Sequence, residues 1–276
     1  MLKACREAGL GTKKYQVDFA LKLWKLTHWA KRIGDITPFK QMAGLIASEK
    51  NFCGSFIPVD EEIEIPPSVV APRLILEDYI KRASHRTIIH ECFCRAGEGC
   101  ERYPRDLGCL LLGEASRDVD PSVGRPATVE ESMEHLDRGL AAGLLPMLGH
   151  LRIDQAVFGV REFSRFLTLC FCCECCCVIR SEMRRLVGAY PRSLVRLEGV
   201  RVEVTGECVG CGECVPVCPV ENVRLSGDVA IIGEMCVGCG SCARACSRGV
   251  IKVSIEPGSR LHEDIRRRIE TGVDIE

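Results

Sequence analysis

The stretch that decides the fold of the C-terminal part is Cys208-Val-Gly-Cys211-Gly-Glu-Cys214-Val-Pro-Val-Cys218-Pro219, followed by Cys236-Val-Gly-Cys239-Gly-Ser-Cys242-Ala-Arg-Ala-Cys246. Three thiolates separated by two residues each can hold three irons of one cubane, whereas the fourth, three residues on, points away and must serve the other cluster. The spacing therefore predicts two [4Fe-4S] clusters with crossed ligation. Cys208, Cys211, Cys214 and Cys246 would hold one cluster, and Cys236, Cys239, Cys242 and Cys218 the other.

With these two runs, the segment from about Gly199 to Ile255 resembles the two-cluster bacterial ferredoxin family. The resemblance implies a small α+β fold with pseudo-twofold symmetry and one-electron transfer at low potential. The match departs from the family pattern at one position, because Ser247 stands where a proline is expected after the last cysteine, whereas Pro219 is present in the first run. A proline shapes the turn without ligating, so the predicted ligand set is unchanged.

Ten further cysteines form two groups that are separated by a cysteine-free stretch from Leu110 to Leu169. Each group follows an apolar segment, and convergence of these segments would bring many thiols together at strand ends, as in an α/β layer. The thiols could hold a third iron-sulfur cluster, bind zinc, act as a redox dithiol or be inert, and a third cluster is the favoured interpretation. The groups are Cys92, Cys94, Cys100 and Cys109, and Cys170, Cys172, Cys173, Cys175, Cys176 and Cys177.

Other candidate residues lie near these groups or stand alone in the sequence. Cys5 and Cys53 fit no ligand spacing, and we expect neither of them to bind a metal. His90 and His150 are expected to be satisfied core histidines rather than metal ligands or proton donors. Four charged residues crowd the first group, where they would either offset the charge of a cluster or lie at the surface. These residues are Arg95, Arg102, Arg105 and Asp106.

Three phrases of the middle region are distinctive: Cys92-Phe-Cys94-Arg95, Tyr103-Pro-Arg-Asp106-Leu-Gly-Cys109-Leu110 and Cys172-Cys-Glu-Cys175-Cys-Cys177. With them, the chain resembles a family of 4Fe-4S-binding proteins of anaerobic archaea and bacteria. The resemblance covers most of the chain and implies no particular reaction. It implies that the middle region and the ferredoxin unit function together.

Composition limits the possible classes of protein. The 276 residues suffice for two or three units. Twenty cysteines spaced as ligands, with no secretory segment after Met1, predict a cytoplasmic protein of an organism that avoids oxygen rather than a disulfide-bonded secreted one. The longest apolar stretches, such as Ala141 to Leu148, are too short to span a membrane. A net charge of −1 argues against nucleic-acid binding.

The N-terminus is locally basic, with ten Lys or Arg against four Asp or Glu in the first fifty residues. Apolar positions at helical spacing predict an amphipathic helix over Tyr15–Ile33, whose Trp24 and Trp29 we assign to the core. Such a basic helix could dock an acidic redox partner or an anionic membrane surface, but a solvated helix face is the favoured interpretation. A second helix is predicted over Pro38–Ser48 and an extended linker over Pro58–Pro67.

The predicted fold class is α+β, with a cysteine-rich N-terminal and middle region of mixed helices and strands before a C-terminal bacterial-ferredoxin-like domain. We divide the chain into an N-terminal helical segment and linker (1–68), a cysteine-rich α/β domain (69–197), a two-cluster ferredoxin-like domain (198–258) and a C-terminal helix (259–276). Helices are predicted for Pro72–Arg82, Thr128–Ala142, Val178–Val187 and Leu261–Glu270, strands for Arg86–His90, Phe166–Cys172, Val200–Val204 and Ile251–Ile255, and a turn-rich loop for Asp118–Pro126.

These features predict an iron-sulfur protein that passes single electrons through two [4Fe-4S] clusters, with a redox protein or a larger oxidoreductase complex of an anaerobic system as its partner. Two alternatives stay open. One is a reductase whose middle region holds a further metal or dithiol site fed by the clusters, and the other is a zinc-stapled docking module that carries the ferredoxin domain. The sequence has no nucleotide-binding glycine fingerprint, P-loop or catalytic triad pattern. No catalytic residue is therefore assigned, and an electron carrier is favoured over a stand-alone enzyme.

Overall fold

The computed structural model describes residues 11–22, 52–59, 72–180, 194 and 196–276. Residues 14–22 are helical and form α1, which covers the start of the predicted helix Tyr15–Ile33. The rest of that helix with Trp24 and Trp29, the helix Pro38–Ser48, most of the linker Pro58–Pro67 and Cys5 lie outside the described residues. Among the described helices, none is both long enough and apolar enough to cross a membrane.

One sheet forms the centre of the middle region. Its strands are β1 (Phe52–Phe56), β2 (Arg86–Ile89), β3 (Leu110–Leu112), β4 (Gly124–Pro126), β5 (Leu145–Leu151) and β6 (Leu167–Cys172). Their order is β1-β5-β6-β3-β2-β4, and every neighbouring pair is antiparallel. The sheet thus differs from the parallel sheet of an α/β layer.

Helices cover both faces of this sheet. They are α2 (Pro72–Arg82), α3 (Phe93–Glu98), α4 (Val129–Ala141) and α5 (Arg152–Phe158). Tyr79 of α2 belongs to the same hydrophobic core as Leu110 and Leu112, whereas Leu111 belongs to a second core with Val17 of α1. Successive residues of a strand point to opposite faces, so β3 contributes to both cores.

The predicted helix after Thr128 is confirmed as α4. It begins at Val129 because the Thr128 hydroxyl accepts the Glu131 N–H at 3.2 Å, while the Glu131 carboxylate accepts the Thr128 N–H at 2.9 Å. The buried His135 of α4 then donates from Nε2 to the Gly108 carbonyl oxygen at 2.8 Å. This bond fixes α4 against the segment that leads into Cys109.

The C-terminal part contains two strand pairs and two helices. β7 (Val200–Val204) pairs with β10 (Ile251–Ile255), and β8 (Val223–Ser226) pairs with β9 (Val229–Ile232), both antiparallel. In the sequence, α6 (Ser241–Arg244) lies between β9 and β10, and α7 (Leu261–Glu270) follows β10. The end of the chain returns to α2, where Arg82 donates to Glu270 at 2.8 Å and the Ser84 N–H donates to the Ile275 carbonyl at 2.7 Å.

The α+β class is confirmed, as are the predicted helices over α2, α4 and α7 and the predicted strands over β2, β6, β7 and β10. The elements that were not predicted from the sequence are β1, β3, β5, β8, β9, α3, α5 and α6, and the predicted loop Asp118–Pro126 ends in β4. The predicted helix Val178–Val187 is described only at 178–180, which are helical. The division of the chain into four units stays a prediction.

Candidate metal centres

Two small cavities in the C-terminal part are each lined by four cysteines. Each cavity takes three cysteines from one run and the last cysteine from the other run. This is the crossed arrangement expected from the spacing, although ligation itself stays a prediction. The first cavity is lined by Cys208, Cys211, Cys214 and Cys246, and the second by Cys236, Cys239, Cys242 and Cys218.

Backbone amides donate hydrogen bonds to the sulfur atoms around both cavities. The Asn222 N–H donates to Cys218 Sγ at 3.2 Å, and the Ala230 N–H donates to Cys208 Sγ at 3.4 Å. Gly238, whose φ of 69° lies in the left-handed region, donates its N–H to the sulfur two residues before it at 3.4 Å. Such donors stabilise a thiolate, and the negative charge of a thiolate-bound cluster, without a counter-ion.

In each cavity, burial and the neighbouring cysteines disfavour the ionisation of one thiol in the absence of a metal. Burial raises the pKa of the Cys242 thiol, and the neighbouring Cys239, Cys236 and Cys218 raise it further. Burial likewise raises the pKa of Cys214, with the other three cysteines of its own cavity adding to the effect. Metal binding is what deprotonates such thiols. The residues of both cavities therefore fit a thiolate-bound iron-sulfur group.

Residues 207–251 match the family model of a 4Fe-4S dicluster domain. The match contains all eight cysteines that line the two cavities, so the C-terminal unit is a 4Fe-4S-binding domain of ferredoxin type. Searches of the curated proteins and of the solved structures found no significant match to the chain. The middle region must therefore be interpreted from its own residues.

The two middle cysteine groups meet at one edge of the six-stranded sheet. Because β2 and β6 are both antiparallel to β3, they run in the same direction and their carboxyl ends lie at the same edge. β3 begins at that edge, directly after Cys109. Cys109 Sγ lies 3.6 Å from Cys170 Sγ, and Cys100 Sγ lies 3.7 Å from Cys175 Sγ. The predicted convergence of the two groups is therefore observed.

Cysteines also line a cavity of about 60 Å³ at this edge. The pKa of Cys177 is well below its ordinary value because the thiols of Cys172 and Cys94 donate hydrogen bonds to it. The pKa of Cys94 is raised correspondingly by its hydrogen bonds with Cys177 and Cys92. A thiolate stabilised by neighbouring thiols is typical of redox and metal-binding cysteines. The cysteines that line this cavity are Cys92, Cys94, Cys109, Cys170, Cys172, Cys173 and Cys177.

Asp154 of α5 also lines this cavity. Burial raises the pKa of its carboxyl group to about 7, against a hydrogen bond with Thr168 that lowers this pKa and with a smaller raising contribution from Cys177. Its Oδ2 atom is sealed from solvent and has no hydrogen-bond partner among the described residues. A carboxyl group that titrates near neutral pH beside thiols can exchange protons with them. Asp154 was not predicted from the sequence, because α5 was not predicted and an isolated aspartate gives no other signal.

Arg95 is the charged residue that accompanies the middle thiols. Its side chain is fully buried, donates to the Phe171 carbonyl oxygen at 2.9 Å, and also donates to the Leu107 carbonyl oxygen. The guanidinium forms a further hydrogen bond with Cys173 and lies beside Cys92. Of the two roles considered for Arg95, offsetting thiolate charge is the one that the structure supports.

The other charged residues of the first group lie nearer the surface. Arg102 pairs with Glu174 at 3.0 Å, and Arg105 donates to the Cys100 carbonyl oxygen at 3.2 Å. Asp106 forms an exposed ion pair with Arg138 of α4 at 2.6 Å. Glu174 was not predicted as a site residue, although it lies between candidate ligands in the sequence. Its ion pair with Arg102 shows that Glu174 anchors the loop of the second cysteine group to the loop of the first.

The two predicted core histidines and Cys53 line none of the three cysteine cavities. His90 is exposed rather than in the core, because it follows the last residue of β2, and its Nε2 donates to the Pro121 carbonyl oxygen at 3.1 Å. His150 is half-buried, stacks on Phe163 and donates to its carbonyl oxygen at 2.9 Å. Cys53 pairs with His150 across β1 and β5.

Arg180 connects the middle cysteines to the C-terminal ones. Its buried guanidinium donates to the Val217 carbonyl oxygen at 2.9 Å and to the Ser241 hydroxyl at 3.3 Å. The same hydroxyl accepts a hydrogen bond from Cys239 Sγ at 3.4 Å. At its other end, the backbone N–H of Arg180 donates to Cys177. No sequence signal distinguished Arg180, since its role depends on two segments that are distant in the chain.

Proposed function

We propose that this chain is an electron-transfer protein in which two [4Fe-4S] clusters, held by the two crossed cysteine sets, exchange single electrons with a redox partner. Such a cluster, when bound, accepts and releases one electron at a time. The observation that carries the proposal is that each cavity of the matched domain is lined by four cysteines drawn from both runs. The resemblance of the whole chain to proteins of anaerobes favours a partner from an anaerobic redox system.

The two cysteine sets differ in their exposure, which suggests where a partner docks. Cys211 of the first set is exposed, whereas Cys218, Cys239 and Cys242 of the second set are buried. Electron transfer between proteins requires that the two centres lie close together, so the side of Cys211 is the natural docking face. The second set faces the middle region through Arg180.

Metal and sulfide analysis of the anaerobically purified full chain tests the proposal. We expect at least about eight irons and eight sulfides per chain, and electron paramagnetic resonance of the reduced protein should show two interacting clusters. A Cys53→Ser variant serves as control and should keep the same content, since Cys53 lies on β1 outside both sets. A normally folded protein with about four irons or fewer would contradict the proposal.

A reductase is the second candidate function, and the contacts of Arg180 favour it. They connect Cys177 in the middle cavity to the segment around Cys239 through the backbone and the buried side chain of one residue. The cavity also offers Asp154, whose carboxyl pKa of about 7 suits proton transfer. A pair such as Cys172 and Cys177 could then form a dithiol that receives electrons from the ferredoxin unit. Reduction of its disulfide to two thiols takes two electrons and two protons.

Thiol counting distinguishes the reductase from the carrier. After mild oxidation of the protein, photoreduction with a deazaflavin and a sacrificial donor should restore alkylatable Cys172 and Cys177 in the wild type. In Cys218→Ala we expect at least tenfold slower restoration, because the cysteine set next to Arg180 is incomplete. Iodoacetamide labelling followed by mass spectrometry measures the rate of restoration in both proteins. Equal rates in the two proteins, or no restoration in the wild type, would leave the carrier as the better account.

A further inference from the structure

The middle cysteines do not form a single site. The sulfur atoms of Cys100, Cys173, Cys175 and Cys176 all lie within 4.8 Å of one another. Within this quartet, Cys175 Sγ lies 3.7 Å from Cys100 Sγ and 3.4 Å from Cys176 Sγ. Of the four, only Cys173 also lines the middle cavity. The remaining six thiols of that cavity are therefore separate from the quartet.

The size of the quartet favours one metal ion over a cluster. A Zn–S bond of about 2.3 Å places the sulfurs of a tetrahedral site about 3.8 Å apart, which is within the range of the quartet. In a cubane each thiolate binds its own iron, so the four sulfurs must lie further apart than the ligands of a single ion. We propose that Cys100, Cys173, Cys175 and Cys176 bind one thiophilic divalent ion, zinc or ferrous iron, in a tetrahedral site.

The surroundings of the quartet hold its two segments in place. Cys100 follows α3, and its carbonyl oxygen accepts a hydrogen bond from Arg105, whereas the other three ligands follow β6. Glu174 does not act as a ligand, because its carboxylate accepts the Tyr103 hydroxyl at 2.9 Å and pairs with Arg102 at 3.0 Å. The ion would thus staple the loop after α3 to the loop after β6.

The ligand set also defines the role of the ion. Four thiolates complete a tetrahedral coordination sphere and leave no position for substrate, which is typical of structural sites. Four thiolates with one divalent ion carry a net charge of about −2, which the hydrogen bond from Arg95 to Cys173 partly offsets. The quartet therefore stabilises the wall of the middle cavity without taking part in its chemistry. This inference does not depend on the proposed electron transfer.

Metal analysis of the full chain with its C-terminal clusters intact tests the quartet. The wild type should contain about one ion beyond the iron that accompanies its sulfide, and elemental analysis will show whether the ion is zinc or iron. In Cys175→Ser/Cys176→Ser we expect the loss of that ion with unchanged sulfide, and in the Cys53→Ser control no loss. A loss of about four irons with four sulfides would overturn the proposal in favour of a cluster, and no loss of metal would overturn it in favour of free thiols.

A ligand exchange keeps the test informative if the double variant does not fold. Cys175 is the exposed member of the quartet, so Cys175→His should fold and still bind one ion. After replacement of the ion by Co²⁺, the wild type should show the intense visible bands of tetrahedral thiolate coordination, and Cys175→His should show weaker thiolate-to-metal charge transfer. Identical cobalt spectra in the two proteins would exclude Cys175 as a ligand. Failure of the proposed electron transfer would appear separately, as missing sulfide in the wild type.

Discussion

Cys246→Ala is expected to lose the same irons as Cys208→Ala, although the two cysteines lie in different runs. Cys246 lines the same cavity as Cys208, Cys211 and Cys214. Burial raises the pKa of Cys214, and the three other cysteines of this cavity, Cys246 included, raise it further. Each variant should therefore lose about four irons and keep the cluster of the second set. Iron and sulfide analysis with electron paramagnetic resonance of the reduced protein measures the loss.

Double variants make this expectation independent of partial damage to the fold. Cys208→Ala/Cys246→Ala should contain as much iron as either single variant, because both changes remove ligands of one cluster. Cys236→Ala/Cys246→Ala should lose about eight irons, since these cysteines line different cavities. If Cys236→Ala/Cys246→Ala instead loses only about four irons, each run would hold its own cluster and the crossed assignment would be wrong.

The elements that the sequence predicted well share a strong local signal. The capping residues Thr128 and Glu131 fix the start of α4, and the two cysteine runs set the spacing of the ligands in the C-terminal unit. β5 was missed because Pro146 and Gly149 interrupt a strand that is stabilised by partners on both sides, β1 and β6. Its formation depends on the neighbouring strands rather than on its own residues.

The middle cysteines show where prediction from sequence ends. Their convergence followed from the positions of the apolar segments, but the reason is an antiparallel sheet in which β3 separates β2 from β6. The division into a quartet and a cavity could not be read from spacing, because Cys173 lies in both while the neighbouring Cys172 lies only in the cavity. The roles of Arg180 and Asp154 likewise depend on contacts through space between distant segments.

Arg95→Leu is expected to destabilise the middle region more than any change at its surface. The leucine cannot donate to the carbonyl oxygens of Phe171 and Leu107, and it leaves Cys173 and Cys92 without their buried cation. Loss of one partner from a buried charged network costs about 3–5 kcal/mol of unfolding free energy. Chemical denaturation under anaerobic conditions, followed by circular dichroism, measures the loss.

Two further variants separate the charge of Arg95 from its hydrogen bonds. Arg95→Lys keeps the cation but cannot reproduce the planar fork that reaches both carbonyl oxygens, so its loss should be intermediate. Arg102→Leu removes a more exposed cation from the same group of cysteines, and we expect a cost of at most about 1 kcal/mol. If Arg95→Leu cost no more than Arg102→Leu, the buried guanidinium would not be offsetting thiolate charge. The middle thiols would then have to be neutral in the folded protein, which would argue against metal binding by Cys173.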